Sequence, residues 1–126
     1  MPRPKNVTIK QGTAVDFSVS EASPVVVAYR FWLQAPGSTT WKLFAEGTTA
    51  DDKLDHFLVV DPIPSGSIFG YALAVGGSAN EPWRAGLVIA QPDAPGMGGA
   101  WDDTGVLSSD GGGLGHQIVS GKVTLL

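Results

Sequence analysis

The sequence predicts an all-β, two-layer antiparallel sandwich, and three observations carry that prediction. Residues 29–75 hold two runs rich in aromatic and β-branched residues, separated by Pro36-Gly37 and followed by the corner Pro62-Ile63-Pro64-Ser65-Gly66 that leads into Tyr71. Elsewhere apolar and polar residues alternate one by one, which turns one side of an extended chain to a core and the other to solvent. The 17 glycines and 9 prolines supply many turns and leave little room for long helices. At 126 residues and 43% hydrophobic composition the chain suffices for a single domain with a real core. Residues 7–92 are expected to form the sandwich, and residues 93–126 a glycine-rich segment ending in an additional strand or arm.

Val7 and Ile9 alternate with polar neighbours as a first strand, and after Gln11-Gly12 a second follows in which Val15, Phe17 and Val19 alternate with Ala14, Asp16 and Ser18. A break comes at residues 21–24, where Pro24 fixes its φ and offers no ladder donor. Residues 25–34 form a long strand. Its core face is Val25, Val27, Tyr29, Phe31 and Leu33, and its other face holds Val26, Ala28, Arg30, Trp32 and Gln34. Trp32 beside Arg30 is there either a surface platform or the underside of a loop. Ala35-Pro36-Gly37-Ser38 spells a type II turn, and residues 41–44 return as the antiparallel partner. Residues 46–55 are polar without alternation and read as an exposed loop before a strand at 56–60. The next strand, 68–75, sets Phe69, Tyr71, Leu73 and Val75 on its larger face, while Gly70, Ala72 and Ala74 leave the other face thin. Gly76-Gly77-Ser78-Ala79-Asn80 is expected to close a hairpin to a strand at 83–90. Residues 92–115 read as irregular. Residues 116–126 regain period two at Ile118, Val123 and Leu125, as an arm that docks on its own sheet or on the edge of another subunit.

Composition removes several function classes. The formal charge of −4, with eight scattered basic residues, lacks the basic footprint that nucleic acid demands. Absence of cysteine removes disulfides, thiol catalysis and cysteine-based zinc sites, and is compatible with a reducing cytoplasm. No apolar segment follows the basic residues of the first ten positions, and no window approaches the roughly 18 apolar residues of a membrane span, so neither export nor membrane insertion is expected.

The pattern resembles the fibronectin type III and wider immunoglobulin-like families. The residues that carry the likeness are Phe17 in the second strand, Tyr29-Arg30-Phe31-Trp32, then Pro36-Gly37 and Trp41-Lys42-Leu43-Phe44, and above all residues 63–71. That last segment is similar to the corner before the sixth strand of such domains. The resemblance gives Tyr71 the role of tying its hydroxyl back to the preceding loop, with Phe17 and Phe31 in the core. Such folds host many unrelated functions, so the likeness implies an architecture and leaves the activity open.

Candidate sites are few. Asp51, Asp52 and Asp55 offer hard oxygen ligands, yet they lack the alternation and the glycine of a calcium loop and read first as a solvated loop. Asp102, Asp103 and Asp110 with Gly111-Gly112-Gly113 form a second acidic stretch. His56 and His116, sixty positions apart, could serve as a metal or acid-base pair only if the fold joins them. No Gly-x-Ser-x-Gly elbow and no phosphate-loop lysine is present. The tryptophans are the better lead, because their faces stack on sugar rings or anchor protein interfaces. Trp83 beside Arg84, and Trp101 beside Asp102 and Asp103, are expected to be exposed, with Trp32 as a further candidate. The sequence therefore predicts a non-enzymatic binding or structural module without cofactor, acting on a protein partner or a second copy through loops, sheet edge and C-terminal arm. The alternative is a carbohydrate-binding module, and a small hydrolase or metal enzyme stands third.

Overall fold

The computed structural model describes residues 2–21 and 24–126, and among these the chain forms ten strands and no helix. They are β1 (Asn6–Val7), β2 (Val15–Glu21), β3 (Val26–Gln34), β4 (Lys42–Thr48), β5 (Leu54–Val59), β6 (Ser67–Ser78), β7 (Pro82–Ala90), β8 (Gly98–Val106), β9 (Ser108–Ser109) and β10 (Leu114–Leu125). The break expected at residues 21–24 falls in part on residues 22 and 23, outside the described residues. Two sheets pack face to face. The first runs β1-β10-β6-β3-β4, with β9 against β10, and the second runs β5-β2-β7-β8. Every pairing is antiparallel except that of β1 with β10.

Period-two patterning builds the interior as expected. Val15, Phe17 and Val19 of β2, Val27, Tyr29 and Phe31 of β3, and Phe69, Tyr71, Leu73 and Val75 of β6 are all buried, as are Trp83, Ala85, Leu87 and Ile89 of β7. At the centre Phe17 lies between Phe69 and Phe44, with ring centroids 4.7 and 5.0 Å away. Phe44 reaches that cluster through a bulge. Phe31 pairs with Ala45 while Trp32 pairs with Leu43, so Phe44 is the extra residue and its ring packs on the core beside Ala45.

The structure corrects the sequence reading at four places. Residues 46–48 belong to β4, because Glu46, Gly47 and Thr48 pair with Arg30, Tyr29 and Ala28. β6 and β7 are not a hairpin. The segment after Ser78 carries the chain across to the other sheet, where β7 pairs with β2 and β8. Nine residues expected to be irregular form β8, whose one deep anchor, Trp101, left no alternation to read. The C-terminal stretch takes the first of its two expected courses, as a strand of its own sheet paired with β6 from Leu114 to Leu125. Lastly, the Tyr71 hydroxyl does not tie down the preceding corner. Ser67 holds that corner by donating from its hydroxyl to the Pro64 carbonyl at 2.7 Å, and Gly66 N–H donates to the Leu125 carbonyl at 2.7 Å.

Candidate functional site

Trp83 and Trp101 are 3% and 2% exposed, which corrects the expectation that they form surface platforms. The period-two rule explains each, since both stand on the inward side of their strands. Their only polar atoms are satisfied inside: Trp83 Nε1 donates to Gln117 Oε1 at 2.7 Å, and Trp101 Nε1 donates to the Tyr71 hydroxyl at 3.2 Å. Asp103, two residues on from Trp101, shares its face and accepts from the Tyr71 hydroxyl at 2.7 Å. Burial, reinforced by that acceptor, raises the Tyr71 pKa and keeps the phenol neutral. Asp102 points the other way, to an exposed ion pair with Arg84 at 2.6 Å that holds its carboxyl below the usual range. The five residues therefore split between the two sides of the second sheet and do not make one site.

The acidic and histidine candidates also separate. Asp55 accepts from the Tyr29 hydroxyl at 2.6 Å, and Asp52 accepts from the backbone of Leu54 at 3.3 Å, so Asp51, Asp52 and Asp55 do not converge. Among the described residues no three acidic or histidine side chains converge as metal ligands. The stretch at 102–103 lies in β8, at the far edge of the second sheet from β5, so the two acidic segments do not meet. His56 faces outward from β5, where Asp16 accepts from its Nδ1 at 2.9 Å and raises its pKa. His116 is on β10 of the other sheet, and both imidazoles are on exposed positions with the sandwich between them.

The side chains that do come together lie on the outer face of the first sheet. Gly70, Ala72, Ala74 and Gly76 form a floor along β6, flanked by Val26, Ala28, Arg30 and Trp32 of β3 and by His116, Ile118, Ser120 and Lys122 of β10. Small residues on the central strand between longer ones on both neighbours make a trough. Its floor runs about 20 Å, and opposite walls stand about 10 Å apart at two strand spacings. Three concavities of about 520, 520 and 630 Å³ follow it end to end, the first two sharing Trp32 and the last two sharing Ala28 and Ala74.

At one end Gly70 lies between Trp32 and Lys122 in the register of the sheet. Trp41, just before β4, reaches across so that its Cζ3 would be 2.9 Å from a Cβ on residue 70. Only glycine admits the indole there. Trp41 is 41% exposed and Trp32 is partly exposed, so two indoles border one concavity together with Arg3 and Lys122. Farther along, Arg30 and Glu46 form an exposed ion pair at 3.3 Å. Of this constellation the sequence reading singled out Trp32, Arg30 and the thin face of β6, and missed Trp41, Arg3 and Lys122. The signal for Trp41 was an aromatic just past the Pro36-Gly37 turn, leading into the strand that pairs with Trp32. Arg3 and Lys122 carry no local pattern, since register alone brings them there.

No protein-family model matches the chain, and comparison with curated proteins and with solved structures gives no match.

Proposed function

We propose that this chain is a non-enzymatic recognition module that holds a sugar chain in the trough on the outer face of its first sheet. The observation that carries this reading is the pair Trp32 and Trp41 beside Gly70, at the end of a floor of small residues long enough for an extended ligand. A pyranose ring presents apolar C–H faces that stack on indole and a rim of hydroxyls that need donors and acceptors. Arg30, Glu46, Thr48, Ser120 and Lys122 supply those from the walls. The strand under the trough is paired on both sides, with β3 and with β10, so its backbone has no free edge to hold an added polypeptide strand. The acid count supports binding without cleavage. Glycosidic hydrolysis uses two carboxylates flanking the bond, whereas Glu46 is the one carboxylate among the described residues lining the trough, and Arg30 holds it.

Titration with soluble polysaccharides tests this. A ligand is expected to shift the tryptophan emission, and Trp41→Ala to weaken binding about fivefold or more, in line with roughly 1–3 kcal/mol for an aromatic stacking contact. A wild-type chain inert toward a broad glycan array would end the reading. A second reading, a protein partner or second copy on the same face, draws on the exposure of Val26, Leu43 and Ile118 beside the trough, at 45%, 46% and 73%. Sedimentation over a hundredfold concentration range decides it, and a constant monomer mass removes self-association.

A further inference from the structure

We infer that the sugar chain held in this trough is acidic, with a carboxylate on a ring carbon set against Lys122 beside the two tryptophans. This inference rests on the sugar-binding reading and adds the charge of the ligand to it. The chain carries eight basic and twelve acidic residues, yet the trough holds three of the basic ones, Arg3, Arg30 and Lys122, and only Glu46 of the acidic ones. An acidic molecule has thus gathered positive charge on the one face that also presents indole rings. Within that face the excess is local. Arg30 is neutralised by Glu46 in the second concavity, while the first is bordered by Arg3 and Lys122 with no carboxylate in its lining.

Lys122 makes no ion pair among the described residues and stays exposed, so its ammonium is available to a ligand. Arg3 is anchored at the β10 edge, donating from Nη1 to the Ser120 carbonyl and to the Tyr71 hydroxyl, each at 3.4 Å. The same Tyr71 hydroxyl donates to Asp103, whose charge acts on Arg3 and helps raise its pKa, so Arg3 closes the β10 edge of the concavity and Lys122 is the cation turned to the trough. The Trp41 indole lies over Gly70, and Lys122 stands on the next strand directly opposite that glycine. A pyranose lying against the indoles projects its equatorial substituents sideways, toward Lys122. A carboxylate bonded directly to the ring is within reach of the Lys122 ammonium there.

The experiment measures binding of the full chain to polygalacturonate and alginate oligomers, to their methyl esters as neutral counterparts, and to dextran sulfate. The expected result is preference for the acid forms over their esters. Lys122→Gln is expected to lower affinity for the acid forms about threefold to fivefold, the range of one exposed ion pair, and to leave the esters unchanged. Trp41→Ala should weaken both, and 0.5 M salt should erase the preference. Equal affinity for acid and ester, indifference to Lys122→Gln, or tighter binding of dextran sulfate than of either uronate overturns the inference. In those cases Trp41-dependent binding of a neutral ester leaves the sugar-binding reading standing, whereas no binding of any polymer removes both.

Discussion

Two glycines on neighbouring strands, facing opposite ways, separate what the trough contributes to recognition from what the interior contributes to stability. Gly70 faces outward under Trp41, and a Cβ there would come within 2.9 Å of the indole. Trp41 lies on the surface before β4 and can swing aside, so Gly70→Ala is expected to change stability by less than about 1 kcal/mol while displacing the ring from the trough. Binding and tryptophan emission should both change although the melting curve hardly does. Gly121 faces inward, and a Cβ there would run into the Arg3 guanidinium and come 2.7 Å from the Tyr71 hydroxyl. That hydroxyl is held by Asp103 and Trp101 and has nowhere to go. Gly121→Ala is therefore expected to cost about 1–3 kcal/mol through overpacking and broken hydrogen bonds. Chemical denaturation of the two variants side by side checks the contrast, and equal costs would refute the assignment of the two faces.

Elements join through a few side chains that imitate a strand. Gln91, 3% exposed and just past β7, accepts from Lys10 N–H at 2.7 Å, and its amide nitrogen donates to the Lys10 carbonyl at 2.9 Å and to the Thr13 hydroxyl at 2.7 Å. One amide thus pairs with the β1–β2 connection as a neighbouring strand would, and Gln91→Ala is expected to cost about 2–3 kcal/mol and to lower Tm by several degrees. Where such couplings decide the element, sequence alone fell short. The strands legible in the sequence are those with an unbroken apolar face, such as Val27, Tyr29 and Phe31 of β3 and Phe69, Tyr71 and Leu73 of β6. β8 was hidden because Trp101 is its only buried hydrophobe and the rest of its nine residues are glycine, alanine, valine, threonine and aspartate. The β6–β7 connection read as a hairpin because turn residues between two strands do not encode which sheet receives the second. The trough was half legible: alternation exposed its thin floor and Trp32, while Trp41, Arg3 and Lys122 needed the register of non-neighbouring strands.

At the scale of the molecule, the last third of the chain completes both sheets. β10 pairs with the whole of β6 in the first sheet, and β8 pairs with the whole of β7 in the second. Trp101, Leu107, Val123 and Leu125, all past residue 91, are each no more than 2% exposed. Removing a buried side chain of that size costs about 2–5 kcal/mol, so losing the four together costs roughly as much as the 5–15 kcal/mol that holds a typical domain folded. Truncation after Gln91 would also leave Tyr71 without Asp103 and Trp101, and Trp83 without Gln117, which strands polar groups inside. It would turn β6 and β7 into long edges inviting aggregation. A chain ending at Gln91 is therefore expected to lack a cooperative thermal transition and the dispersed amide spectrum of the full chain. Such a chain would also carry no trough, since one wall belongs to β10. A monomeric, well-dispersed truncated chain would show that residues 7–92 close a core on their own and that β8 and β10 are additions to it.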